Sequence, residues 1–138
     1  MTVDPIEATF RARTPASAAD AQRASRVMPG GDTRAAGHHP PYQLSMVSGA
    51  GPHLTDLDGN RYIDLIGNFT SLCHGNAYPP IMEAAAAAMA DGTNWPARNR
   101  HAVALAEELA ARIPSVDEVR FTNSGSEATM LAVELARA

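Results

Sequence analysis

Lysine is absent from the 138 residues, and all eleven basic side chains are arginine. That absence removes any side-chain amine for Schiff-base chemistry within these residues. Cysteine is nearly absent: Cys73 stands alone, which excludes an internal disulfide and suits a reducing cytoplasm. Long apolar runs are missing too. The most apolar stretch, Ala84 to Ala90, is far too short to span a bilayer, so no membrane partner is expected. Met1 to Phe10 carries Asp4 and Glu7 without an apolar centre and does not read as a signal peptide. A formal net charge of −4 leaves no basic patch to collect phosphate backbones, so no nucleic acid is expected either.

What is present is the composition of a globular chain, 45% apolar and 19% charged, long enough for one domain. Residues 1–16 lack periodicity and read as a loose leader. Ser17 with Asp20 three residues on has capping-box spacing, and a helix is expected through Val27, stopping before Pro29. Residues 32–43 read as loop. Leu44 and Met46 suit a short strand broken at Gly49 and Gly51. His53–Leu57 and Arg61–Leu65 flank Asp58-Gly59, a hairpin signal because the turn wants positive φ. Helices are expected from Pro80 to Asp91, with Gly92 just past the end, and from Asn99 to Arg112, ended by Pro114. Glu118–Thr122 reads as a strand. A last helix begins at Ser124, and its pattern reaches Ala138 without a stop signal, as in a helix that is cut.

The chemistry concentrates in Val119–Ala128, a strand, a tight polar turn and a helix start. Ser124 and Glu127 have capping-box spacing. Gly125 permits close approach to the backbone, and the N–H groups of Gly125 and Ser126 with the Ser126 hydroxyl suit an anion at the positive end of the helix dipole. A plain helix cap explains the same residues locally. No GxGxxG, P-loop or paired-histidine motif competes. His38 and His39 are adjacent, so their side chains diverge, and no cysteine or acid completes a metal site; no metal is expected. Cys73 and His74 are likewise adjacent and make a poor nucleophile–base pair. Glu107-Glu108 reads as a solvated helix face.

PGGDTR at 29–34, LTDLDGNRYIDLIGN at 54–68, HGNAYPPI at 74–81 and RFTNSGSEATMLAVELARA at 120–138 occur in the order and spacing of class III aminotransferases. The chain resembles the branch around glutamate-1-semialdehyde aminomutase and the β-amino-acid aminotransferases over about residues 23–138. The resemblance implies an α/β fold: part of a fold type I aminotransferase, with residues 17–70 contributing to a small domain and 71–138 beginning a large cofactor-binding domain. It implies pyridoxal 5'-phosphate as cofactor, amino acid and oxo acid substrates, and a homodimer when full length. By the same resemblance Ser124, Gly125 and Ser126 hold the cofactor phosphate. Arg34 stands where β-amino-acid aminotransferases bind the substrate carboxylate, although in the aminomutases the corresponding arginine lies further along; a solvated loop arginine is the other reading. Phe69 matches a pocket-lining aromatic, or is a core side chain. Asn76 stands where many members have histidine, and His101 replaces a common glutamate. The family's catalytic lysine, its ring-stacking aromatic and its ring-nitrogen aspartate all fall beyond residue 138, so no catalytic residue is expected here. An amino-terminal fragment of such an enzyme, a non-catalytic phosphate-binding module and a truncated product without independent activity are the three readings.

Overall fold

A computed structural model describes residues 4–33 and 39–138. Arg34 and His38 lie outside the described residues. The chain forms two compact units, residues 1–89 and 90–138.

The first unit opens with a helix, α1 (Pro5–Arg13), where a loose leader was expected. Asp4 and Pro5 supply the start. The Asp4 carboxylate accepts from the Ile6 N–H at 2.8 Å, and proline occupies the first helical position, where its missing N–H costs nothing. A Glu7–Arg11 pair at 2.7 Å supports the exposed face. The next helix, α2 (Pro15–Ala24), starts two residues before Ser17 and ends before Val27. The proposed capping box is not formed. Thr14 occupies the cap position, but its hydroxyl bonds to the Phe10 carbonyl and the Tyr42 hydroxyl rather than to α2, and the caps come from the distant Asp58 carboxylate. Asp58 accepts from Ala16 N–H at 2.7 Å, Ser17 N–H at 3.0 Å and the Ser17 hydroxyl at 3.1 Å. Asp20 instead accepts from the Ser45 hydroxyl at 2.7 Å and pairs with Arg23.

A three-stranded antiparallel sheet follows, β1 (Met46–Ala50), β2 (His53–Asp56) and β3 (Arg61–Ile63), in that order across the sheet. His53 pairs with Ile63, Leu54 with Tyr62 and Thr55 with Arg61, so the expected hairpin forms. Gly59 takes the positive φ of 81° that its turn requires. The first strand runs through Gly49 rather than breaking there, with an irregularity between Met46 and Ser48.

The hairpin closes on Asp56, which is 1% exposed. Its carboxylate accepts from the backbone N–H groups of Asp58 and Asn60, from the Asn60 side-chain amide and from the Tyr62 hydroxyl, all within 3.0 Å. Burial pushes this carboxyl up, but the bonds from Asn60, Tyr62 and Asp58 outweigh it and hold the group below the usual carboxylate range. Burial also pushes the Tyr62 phenol up, and its hydrogen bond to Asp56 pushes the same way. Asn60 ties the hairpin to α1 by donating to the Arg13 carbonyl at 2.9 Å. Thr14, Ser17 and Asp56 are the fully buried side chains among the described residues, and no apolar side chain joins them. The centre of the first unit is therefore polar. Ile6, Val27 and Leu65 are about four-fifths exposed or more.

After β3 the chain makes one left-handed helical turn, α3 (Gly67–Thr70), then reaches α4 (Pro79–Ala90) by a loop. The helix α4 starts one residue before the expected Pro80, and Gly92 lies just past its end with φ 123°. The second unit contains α5 (Arg100–Arg112) and α6 (Gly125–Arg137). Asn99 caps α5 by accepting from His101 N–H at 2.8 Å. Residues 118–122, expected as a strand, have no strand partner among the described residues. A strand needs a neighbour to satisfy its backbone groups, and this segment has none to pair with.

Candidate functional site

The start of α6 is the most chemically directed feature of the second unit. Ser124 has extended backbone angles, φ −151° and ψ 158°, and its hydroxyl oxygen accepts from Glu127 N–H at 3.2 Å. The Glu127 carboxylate turns back and accepts from Asn123 N–H at 2.7 Å, one residue earlier than a reciprocal box requires. Thr122 closes the turn by donating its hydroxyl to the Ser124 carbonyl at 3.1 Å. The spacing had singled out Ser124 and Glu127; Thr122 and Asn123 join them only in three dimensions.

These bonds occupy the third N–H of the helix and leave those of Gly125 and Ser126, the first two, without a partner among the described residues. The Ser126 hydroxyl makes no hydrogen bond among the described residues, and that of Ser124 keeps its proton to donate while accepting. A Cβ at Gly125 would meet nothing within 4 Å, so the backbone face is open. Two backbone and two hydroxyl donors lie at the cap and in the first turn of a 13-residue helix, at its positive end. Hydrogen bonds to a charged group contribute roughly 1.5–3 kcal/mol each, enough for this donor set to hold a phosphate dianion. The residues present therefore fit a phosphate-bearing cofactor.

Phe69 lies in the first unit, on α3. Asn68, Phe69 and Thr70 all have positive φ, 49°, 56° and 68°. Left-handed backbone costs a non-glycine residue roughly 1–2 kcal/mol, so this turn persists only because its surroundings hold it. The Thr70 N–H donates to the Ile66 carbonyl at 2.8 Å and Leu72 N–H to the Gly67 carbonyl at 3.0 Å. Upstream, one oxygen of Asp64 accepts from Ile66 N–H at 3.1 Å and Gly67 N–H at 2.8 Å. Its other oxygen accepts from the Asn76 amide at 2.9 Å. That bond first, then the Gly67 N–H, hold the Asp64 carboxyl below its usual range. Asn76 is itself fixed to Gly51 by a two-way backbone bridge, each bond 2.8 Å. Nothing in the sequence marked Asp64; Asn76 stood out there only as a departure from histidine.

The structure thus brings Ser124, Gly125 and Ser126 together on one helix end, and sets Phe69 in a constrained turn of the other unit. Among the described residues no cluster of three or more His, Cys, Asp or Glu is arranged to hold a metal, and no helix is long and apolar enough to cross a membrane.

Fold and site define a mixed helix–sheet polypeptide with one helix start whose donors are open. The model of the aminotransferase class-III family matches residues 33–138. The chain belongs to the class III aminotransferase family. A glutamate-1-semialdehyde 2,1-aminomutase of Rhodopirellula baltica is 43% identical over 126 residues, 89% of this chain and 29% of the relative. A solved transaminase with PLP bound is 46% identical with a TM-score of 0.87, over 90% of this chain and 29% of that one. A β-phenylalanine aminotransferase from Variovorax paradoxus is 35% identical with a TM-score of 0.88, over 93% and 30%. The chain spans less than a third of each of these proteins, and its fold is that of part of an aminotransferase.

Proposed function

We propose that these residues are the amino-terminal part of a pyridoxal-phosphate-dependent enzyme that moves an amino group between an amino acid and an oxo acid. The observation that carries the reading is the open start of α6, where four donors have no acceptor among the described residues, in a chain of this family. Ser124, Gly125 and Ser126 hold the cofactor phosphate by their N–H and hydroxyl groups. When bound, such a cofactor supplies the electron sink for reactions at the amino-bearing carbon. Phe69 faces the substrate, and Arg34 binds its carboxylate. Residues 17–70 contribute to a small domain and 71–138 begin the large one, in an enzyme that works as a cytoplasmic homodimer. The aminomutase reading, in which the amino group shifts within one substrate, is equally compatible: the 43% identity to the Rhodopirellula baltica relative stands beside 46% to a solved transaminase.

With no lysine among the 138 residues, the chemistry needs an amine from elsewhere in a longer protein. The chain alone, given pyridoxal phosphate and α-, β- and ω-amino donors, is expected to turn over no faster than free cofactor. Turnover well above that level would overturn the assignment. In the longer protein, Gly125→Asp sets bulk and like charge against the phosphate. It is expected to weaken cofactor binding by more than about tenfold, the effect of losing roughly one charged hydrogen bond. Asn76→His is expected to leave cofactor binding unchanged. Titration of both apoproteins checks this, and equal affinities would place the phosphate elsewhere.

A further inference from the structure

We infer that Asp64 and Asn76 form a strut that sets the position of Phe69, making them positioning residues for substrate selection. The inference rests on the reading of Phe69 as a substrate-facing side chain. Three consecutive left-handed residues carry no glycine, so the turn needs external support where it is entered. Asp64 provides it by binding both N–H groups that enter the turn, those of Ile66 and Gly67. The carboxylate is oriented from its far side by the Asn76 amide, which also donates to the Gly51 carbonyl at 3.2 Å. Gly51 directly follows β1, so the load path runs from sheet to amide to carboxylate to turn.

Gly49 shows how closely the strut is seated. A Cβ there would lie 2.8 Å from Cβ and Cγ of Asn76 and 2.9 Å from its Oδ1. Gly49 does not sit at positive φ, so what an alanine would meet is Asn76 rather than a forbidden backbone angle. Gly75 leaves the same kind of room on the other side, where a Cβ would fall 2.8 Å from the Gly51 carbonyl oxygen. Two glycines thus leave room for the strut, Gly49 for the Asn76 side chain and Gly75 for the Gly51 backbone that Asn76 bridges.

The test uses the holoenzyme that carries these residues, with Asn76→Ala, Asn76→Gly, Gly49→Ala, the Gly49→Ala and Asn76→Gly double variant, and Phe69→Ala. Asn76→Ala is expected to raise KM for the amino donor about tenfold, as a small misplacement of a positioning group does. Its kcat is expected to stay within about twofold, with cofactor affinity unchanged. The Ile66 and Gly67 amides are expected to lose hydrogen-exchange protection. Gly49→Ala is expected to do the same, and to add little in the Asn76→Gly background, where the Cβ, Cγ and Oδ1 that it would meet are all gone. A full additional effect of Gly49→Ala in that background would overturn the strut. So would unchanged protection in Asn76→Ala, or equal losses in kcat and cofactor binding. Phe69→Ala separates the two claims. If it leaves KM unchanged while Asn76→Ala still strips protection, the strut stands and the substrate role of Phe69 fails.

Discussion

Asp56 shows how much one side chain organises. It receives four hydrogen bonds from three residues, and its removal deprives the half-buried Tyr62 hydroxyl, one Asn60 amide proton and two backbone N–H groups of their acceptor. Asp56→Ala is expected to cost about 2–3 kcal/mol locally, the penalty of leaving such donors unsatisfied. It would appear as lost hydrogen-exchange protection at the Asp58 and Asn60 amides. The pH dependence has a definite sign. The folded carboxyl lies below its ordinary value of 3.8, so between the two values the unfolded chain binds more protons. The stabilisation is complete above pH 3.8 and is lost as pH falls through the folded value. Asp64 is lowered too and adds to the same acid loss. Protection at Asp58 and Asn60 should therefore fall in acid in the native chain and stay flat in Asp56→Ala. None of this was visible in the residue string, where Asp56 is one acid among several. The Ser124–Glu127 pair was visible, because a helix cap is written within four residues of chain.

Elements show the same division between local and distant causes. The hairpin was legible because Asp58-Gly59 encodes its own turn. The second task of Asp58, capping α2 from 41 residues away, was not. The Ser17–Asp20 spacing pointed to a cap that another residue supplies. Asp58→Ala is expected to destabilise α2 by about 1 kcal/mol, the usual cost of a lost cap, with the amides of Ala16 and Ser17 exchanging faster. Replacing Asp20 should leave those two amides unaffected, which hydrogen exchange can check. The helix α1 escaped notice because its apolar residues, Ile6 and Phe10, are too few to make a stripe, while its start signal of Asp4-Pro5 is short. Residues 118–122 have strand composition, yet composition supplies no neighbour.

At the scale of the whole chain, the missing feature is an apolar interior. Among the described residues no hydrophobic side chain is fully buried, and Leu65, Met130 and Leu135 are 92%, 65% and 66% exposed. Side chains of this kind normally bury against something, and each contributes roughly 1.5–3 kcal/mol when it does. The 138-residue chain by itself is therefore expected to be marginally stable or to associate. A urea titration with the solution mass checks this, and a sharp cooperative transition from a compact monomer would contradict it. The polar contacts around Asp56 are short-range enough to outlast the rest, so the hairpin amides should be the last to exchange.

The exposed apolar faces also bear on how such a protein is made. If these residues come first in a polypeptide as long as its relatives, they leave the ribosome before the segments able to cover them exist. At about 5–20 residues per second, the remainder takes on the order of tens of seconds to translate. Throughout that interval the nascent chain holds its hairpin by hydrogen bonds alone while Leu65, Met130 and Leu135 stay bare. In such a polypeptide, dependence on chaperones early in synthesis, and on the speed of the codons that follow, is the expected consequence.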